Sequence, residues 1–270
     1  MLNQPIIDWP TWTKSPPGQY ILAWEQNQVD RLVSDMFGYY AVQLGLPQLD
    51  ALRENRMPWR GLVLDVASGG SAPYQWPCQN SHDAAGTSWY HAPPQRETLW
   101  SNFLDLPFES QSVDLLILPH TLEVTHDPHR LLREAERVLV PDGRLVIVGF
   151  NSLSLWGMRQ SISRGKSHAF LPIAHDLIAF TRIKDWIKLL GLEPDYGRFG
   201  CYRPPVDTEK WFARYAFMEA AGNRWWPILG ATYVITAIKR VYGMRLIGPT
   251  KARKQALAAA LHPISATNVR

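Results

Sequence analysis

A chain of 270 residues that is 46% hydrophobic and 19% charged has ample apolar surface for a large core and too few charges for a disordered one. Its net charge of +4 is uneven: Glu219 is the last acid and eight of the 28 basic residues follow it, leaving 20 against 24 acids before that point. Two cysteines, Cys78 and Cys201, exclude a disulfide framework and show no metal-ligand spacing.

No apolar run reaches the ~20 residues of a membrane span. The start, Met1-Leu2-Asn3-Gln4-Pro5, lacks the basic-then-apolar pattern of a secretory leader, so a cytoplasmic protein is expected. Pro16-Pro17-Gly18 reads as a turn. After it, Ile21, Leu22, Trp24, Val29, Leu32, Val33, Met36 and Phe37 recur at helical spacing. This predicts one or two helices ending near Gly45-Leu46-Pro47 and capping the main domain. Gly61-Leu62-Val63-Leu64-Asp65-Val66 is read as the first strong strand, entering a small-residue turn, Ala67-Ser68-Gly69-Gly70-Ser71. Residues 74–96 show no clear periodicity, so any element there is expected to be short.

Val113–Leu118 is apolar at nearly every position, as a strand covered on both faces is. Asp127-Pro128 offers an N-cap followed by proline at the first helical position. Leu131, Leu132, Ala135, Val138 and Leu139 then form an apolar helix face, Pro141-Asp142-Gly143 ends it, and Arg144–Phe150 is the next strand. Strand, helix and strand joined by short turns make a βαβ unit and hence a parallel sheet. Thr181 is expected to cap a helix with Ile183, Trp186, Ile187 and Leu190 inward, ended by Gly191. A strand over 192–204, a helix over about 207–221 and a strand over 231–238 complete the pattern.

The run L-P-F-E-S-Q-S-V-D-L-L-I-L-P-H-T-L-E-V-T-H-D-P-H-R-L-L-R-E-A-E-R-V-L-V-P-D-G-R-L-V-I-V resembles small-molecule class I S-adenosylmethionine-dependent methyltransferases in order and spacing over about 98–150. With the Leu62–Ser71 turn and the helix R-I-K-D-W-I-K-L-L-G-L, the resemblance extends over roughly 60–204 and the last strand. It implies a doubly wound, mostly parallel α/β sheet of seven strands, the last antiparallel, with S-adenosylmethionine across the ends of the first three. The expected organisation is an N-terminal helical cap (1–57), a methyltransferase-like domain (58–245, with accessory segments 151–180 and 205–228) and a basic tail (246–270).

The resemblance also implies site residues. Asp65, Ala67, Gly69 and Gly70 would face the methionine part of the cofactor. Asn102, five residues before Pro107, stands where the family has an acid that accepts the adenine amino group, and an amide carbonyl can accept the same bond. Phe103 and Leu104 would border the adenine, and Pro119 and His120 would lie near the sulfonium. Asp83 is the candidate by spacing for the acid that grips the ribose hydroxyls at the end of the family's second strand. Ala67 and Ser71 occupy two places where the family has glycine.

The expected reaction is transfer of the methyl group to a small-molecule acceptor by in-line displacement. His120 is the candidate base, with Glu123 and His126 nearby; the other reading of His120 is a histidine satisfied within the fold. No metal is expected. P-H-T-L after the 113–118 strand differs from the N/D-P-P-Y of enzymes that methylate base amines. The basic C-terminal segment could still attract RNA or anionic lipid. A methyltransferase-like domain without catalysis is the reading from another class.

Overall fold

The computed structural model describes residues 9–66, 95–163, 170–173, 176–206 and 209–240, all within one unit, Met1–Arg240. A short helix, α1 (Trp9–Trp12), precedes α2 (Pro16–Val33). Ser15 caps α2, its hydroxyl accepting from the Gly18 N–H, and the two prolines fill the first turn, where their missing N–H groups cost nothing. Pro16-Pro17-Gly18 is therefore the start of a helix rather than a turn. Ile21, Glu25, Gln28, Val29 and Val33 form the buried face.

After α2 the chain enters a strand, β1 (Tyr40–Leu44), within the segment expected to be a helical cap. Ala41, Val42 and Leu44 are fully buried, so β1 is a central strand, and Gly45-Leu46-Pro47 marks its exit rather than the end of a helix. The strand read as first is consequently the second, β2 (Trp59–Asp65). Next come β3 (Gln95–Ser101), β4 (Val113–Pro119), a short α3 (Thr121–Val124), α4 (Pro128–Val138) and β5 (Leu139–Phe150). Asp127 caps α4 through the Arg130 N–H, as its sequence promised. Then follow α5 (Leu155–Ser163), α6 (Phe180–Leu189), β6 (Leu192–Gly200), α7 (Glu209–Arg214), α8 (Phe217–Trp225), a 3₁₀ turn (Pro227–Leu229) and β7 (Thr232–Lys239). Ala179 stands at the N-cap of α6, not Thr181, and Gly191 beyond its end has φ +75°.

The seven strands form one sheet in the order β3-β2-β1-β4-β5-β7-β6. β1 pairs in parallel with both β2 and β4, and β7 is antiparallel to β5 and β6. β3 is an edge strand, which explains why Q-R-E-T-L-W-S carried no apolar signal. Leu115 and Ile117 face a core shared with α2, whereas Leu116 and Leu118 face one shared with α4 and α6. Layers on both faces are what a doubly wound sheet needs.

Candidate active site

In an open α/β sheet, ligands bind beyond the carboxyl ends of the strands where the strand order reverses. Here that point lies between β1 and β4, whose order neighbours run outward in opposite directions. Four exits line it: Gly45 after β1, Asp65 at the end of β2, Asn102 after β3 and His120 after β4.

The β1 exit is held from inside by Gln43. Its Nε2 donates to the carbonyls of Gly45 (3.0 Å), Leu46 (3.0 Å) and Leu49 (2.7 Å), and its Oε1 accepts from the Ala51 N–H at 3.0 Å. Gly45 has φ +75°, and an added Cβ there would stand 3.3 Å from the Phe103 ring. Thr121 Oγ1 donates to the Leu44 carbonyl at 2.6 Å, joining the exits of β1 and β4. Gln48 Oε1 is buried in this turn with no hydrogen-bond partner, an acceptor open to a ligand donor.

β2 and β3 end side by side, with Asp65 paired in register with Ser101. Since β2 is the second strand, Asp65 occupies the end of the second strand, the place for which Asp83 was the candidate. It is not the acid of a first-strand glycine turn. Ala67, Gly69, Gly70 and Asp83 lie outside the described residues. Spaced like the family motif, the β1 exit reads Gln43 for the acid, Gly45 for the first glycine, and Pro47 and Leu49 for the others. Asn102 Oδ1 accepts from the Leu104 N–H at 2.9 Å, so part of its acceptor capacity closes a local turn. Phe103 and Leu104 are core residues, packed with Val42, Leu44 and Val63.

His120 is 1% exposed and has the left-handed φ of 55°, which costs a non-glycine residue about 1–2 kcal/mol. Its surroundings hold it there. Nδ1 lies 2.8 Å from Glu123 Oε2, and Nε2 lies 2.9 Å from Glu25 Oε1 on α2. Glu25 also accepts from Thr232 Oγ1 at 2.6 Å, and Glu123 Oε1 accepts from the Phe150 N–H at 2.5 Å. The rings of Trp9 and Phe150 lie 4.9 and 4.3 Å from the imidazole. Burial alone would lower the imidazole, but the two carboxylates outweigh it and hold it up at about 10. Burial pushes the Glu123 carboxyl up, against the pull of His120.

Each ring nitrogen of His120 thus faces a carboxylate, and both are spent within the fold. This geometry favours the reading of His120 as a histidine satisfied within the fold over that of a base. Pro119, also buried, ends β4 beside it, and Asp127 serves only as the α4 cap. Glu25, Thr232, Gln43 and Gln48 were missed in the sequence. An acid on the apolar face of α2 was the available signal for Glu25, because a carboxylate enters a core only with a partner. Among the described residues, no cluster of His, Cys, Asp and Glu has the makings of a metal site.

Residues 77–147 match the family model of a methyltransferase domain. Over 90 residues the chain is 46% identical to protein YafS of Escherichia coli (strain K12), a match spanning 33% of this chain and 37% of that one. Over 90 residues it is 29% identical to the mitochondrial 2-methoxy-6-polyprenyl-1,4-benzoquinol methylase of Caenorhabditis elegans, spanning 33% of this chain and 31% of that one. The chain thus spans only about a third of the length of these curated relatives. A chain from the complex of the Haloferax volcanii Trm112 methyltransferase activator with a methyltransferase shares the fold. Its TM-score is 0.53 at 16% identity, over 84% of this chain and 93% of that one. A methyltransferase-domain family model thus matches about a quarter of the chain, and the sheet has the fold of that solved chain.

Proposed function

We propose that this chain binds S-adenosylmethionine at the β1–β4 exits and transfers its methyl group to a small-molecule acceptor. The observation that carries the reading is Asp65. It ends the second strand, beside Ser101 at the end of the third, where the family's ribose-gripping acid belongs. The orphaned Gln48 Oε1 is a second fitting feature, an acceptor suited to an amino or hydroxyl donor of the cofactor. Asn102 keeps its amide group and one carbonyl lone pair for the adenine edge. Gly45 leaves the backbone approachable beside Phe103.

When bound, the cofactor supplies a sulfonium methyl already activated toward a nucleophile. The chain's own task is then orientation and exclusion of water, and orientation can be worth ~7–11 kcal/mol. The Glu25–His120–Glu123 cluster suits that task by fixing the β4 exit against α2, and no proton-transfer role is given to it. Isothermal titration with S-adenosylmethionine and with its demethylated product tests the reading. Saturable binding of either at or below millimolar concentration is expected, and no binding of both would overturn it.

A second reading is favoured by one observation: Gln43, Pro47 and Leu49 replace the family's acid and two glycines at the β1 exit. On this reading the fold persists without turnover. Binding of the cofactor, with methyl transfer to a screened set of small O-, N- and S-nucleophiles, separates the two.

A further inference from the structure

Residues 201–206, which follow β6, carry an arginine whose charge the fold leaves without a partner. β5 and β6 are both antiparallel to β7, so β6 ends at the same edge of the sheet as β4 and β5, and this segment begins there. Its backbone is fixed at nearly every step. Cys201 has the left-handed φ of 63°, and its carbonyl accepts from the Ala231 N–H at 2.9 Å. The Tyr202 N–H donates to Glu219 at 3.2 Å, Trp156 Nε1 donates to the Arg203 carbonyl at 2.7 Å, and Arg159 donates to the Pro205 carbonyl.

The half-buried Arg203 side chain rests against two rings, its guanidinium carbon 4.7 Å from the centre of Tyr20 and 5.2 Å from that of Phe212. These rings hold the guanidinium but offer no acceptor in their plane. Its Nε is buried with no hydrogen-bond partner. Among the described residues its Nη groups meet no carboxylate either. Glu219, the acid that shares Tyr20 with it, is taken by the Tyr20 hydroxyl and the Tyr202 N–H. A guanidinium drawn partly out of water without a counter-ion is costly, so its placement calls for an anion. Its planar fork of N–H donors matches the paired oxygens of a carboxylate or phosphate. Tyr20 and Glu25, which holds His120 at the β4 exit, are five residues apart on α2, roughly 7.5 Å along its axis. One helix therefore supports both the guanidinium and the β4 exit, at a separation on the scale of a small molecule.

We infer that Arg203 receives the acid group of the methyl acceptor, which is a small molecule carrying a carboxylate or a phosphate. The inference rests on the methyltransferase reading, although the anion contact itself needs no cofactor.

The test is titration calorimetry of the whole chain with benzoate, with phenyl phosphate and, as the neutral counterpart, with benzyl alcohol. At least one anion is expected to bind saturably at millimolar concentration, and benzyl alcohol at least about tenfold more weakly. The tighter anion tells a carboxylate acceptor from a phosphorylated one. Arg203→Gln removes the charge, and Arg203→Lys keeps it without the fork. Each is expected to weaken that anion about tenfold while leaving the affinity for S-adenosylmethionine within about threefold. If Arg203→Gln misfolds, Arg203→Lys decides alone. Absence of binding by both anions overturns the inference, as does equal binding of benzyl alcohol or equal anion binding by the folded variants. Parallel loss of cofactor affinity in the variants overturns it as well, by making Arg203 a structural residue. Failure of the methyltransferase reading looks different: the chain binds an anion through Arg203 but neither S-adenosylmethionine nor its demethylated product, and the assignment of that anion to an acceptor falls with the reading.

Discussion

Glu25 in the middle of α2 and His120 at the exit of β4 stand 95 positions apart in the chain, yet their side chains meet at 2.9 Å, both 1% exposed. With Glu123 at 2.8 Å on the other ring nitrogen, the imidazolium fastens a helix of one layer to the end of a central strand. The Glu25 carboxylate also accepts from the Thr232 hydroxyl, so the start of β7 is held as well.

Removing one member leaves the rest buried and unpaired. Glu25→Ala is expected to destabilise the fold by about 3–5 kcal/mol, and Glu25→Gln by about 1–3 kcal/mol because an amide oxygen can still accept. Urea unfolding monitored by circular dichroism measures both. Equal, small losses would show that the cluster contributes little.

The pH dependence follows from the raised imidazole. In the unfolded chain His120 titrates near 6.5 and in the fold at about 10, so its contribution is complete below about 6.5 and is lost as pH rises toward about 10. The raised Glu123 carboxyl has the same sign and begins to act above its ordinary value of 4.5. The stability gap between wild type and His120→Gln should therefore narrow between pH 6 and pH 10. A gap constant over that range would mean that the ring is neutral in the fold.

Gly149 lies against the same cluster. An added Cβ would stand 2.5 Å from the Tyr233 hydroxyl and 3.0 Å from Glu123 Oε1. Both neighbours are buried and cannot retreat, so Gly149→Ala is expected to cost about 1–3 kcal/mol. The shift in thermal midpoint checks it.

Gln43 bonds three carbonyls and one N–H of the β1 exit. Gln43→Leu keeps the size and loses all four bonds, and a loss of about 2–4 kcal/mol is expected. Hydrogen exchange of the Ala51 amide should accelerate selectively in this variant, which a general loss of packing would not produce.

Asp65→Ala separates binding from folding. Cofactor affinity should fall about 10–100-fold, the worth of hydrogen bonds to a carboxylate, and urea unfolding of the free chain measures separately what Asp65 contributes to the fold. Titration calorimetry and urea unfolding on the same preparation decide it. Unchanged affinity would move the ribose site elsewhere.

Sequence by itself determined the βαβ centre of this protein. Val113–Pro119, α4 with its Asp127 cap, and Arg144–Phe150 are elements whose local signals agree: continuous apolar runs, a capping acid before proline and a helical apolar face. The antiparallel last strand came from the resemblance that this stretch carries rather than from local signals.

Strand count was not. β1 is five residues long and follows a helix whose apolar spacing runs on into it, and β3 is polar because it borders the sheet. Missing the first strand moved Asp65 from the end of the second strand to the end of the first, and the glycine turn with it. Only the sheet order, a property of which strands pair, could restore the register. The role of His120 was likewise decided in three dimensions: a histidine at a strand exit reads as a base until Glu25, from 95 residues earlier, closes its second nitrogen.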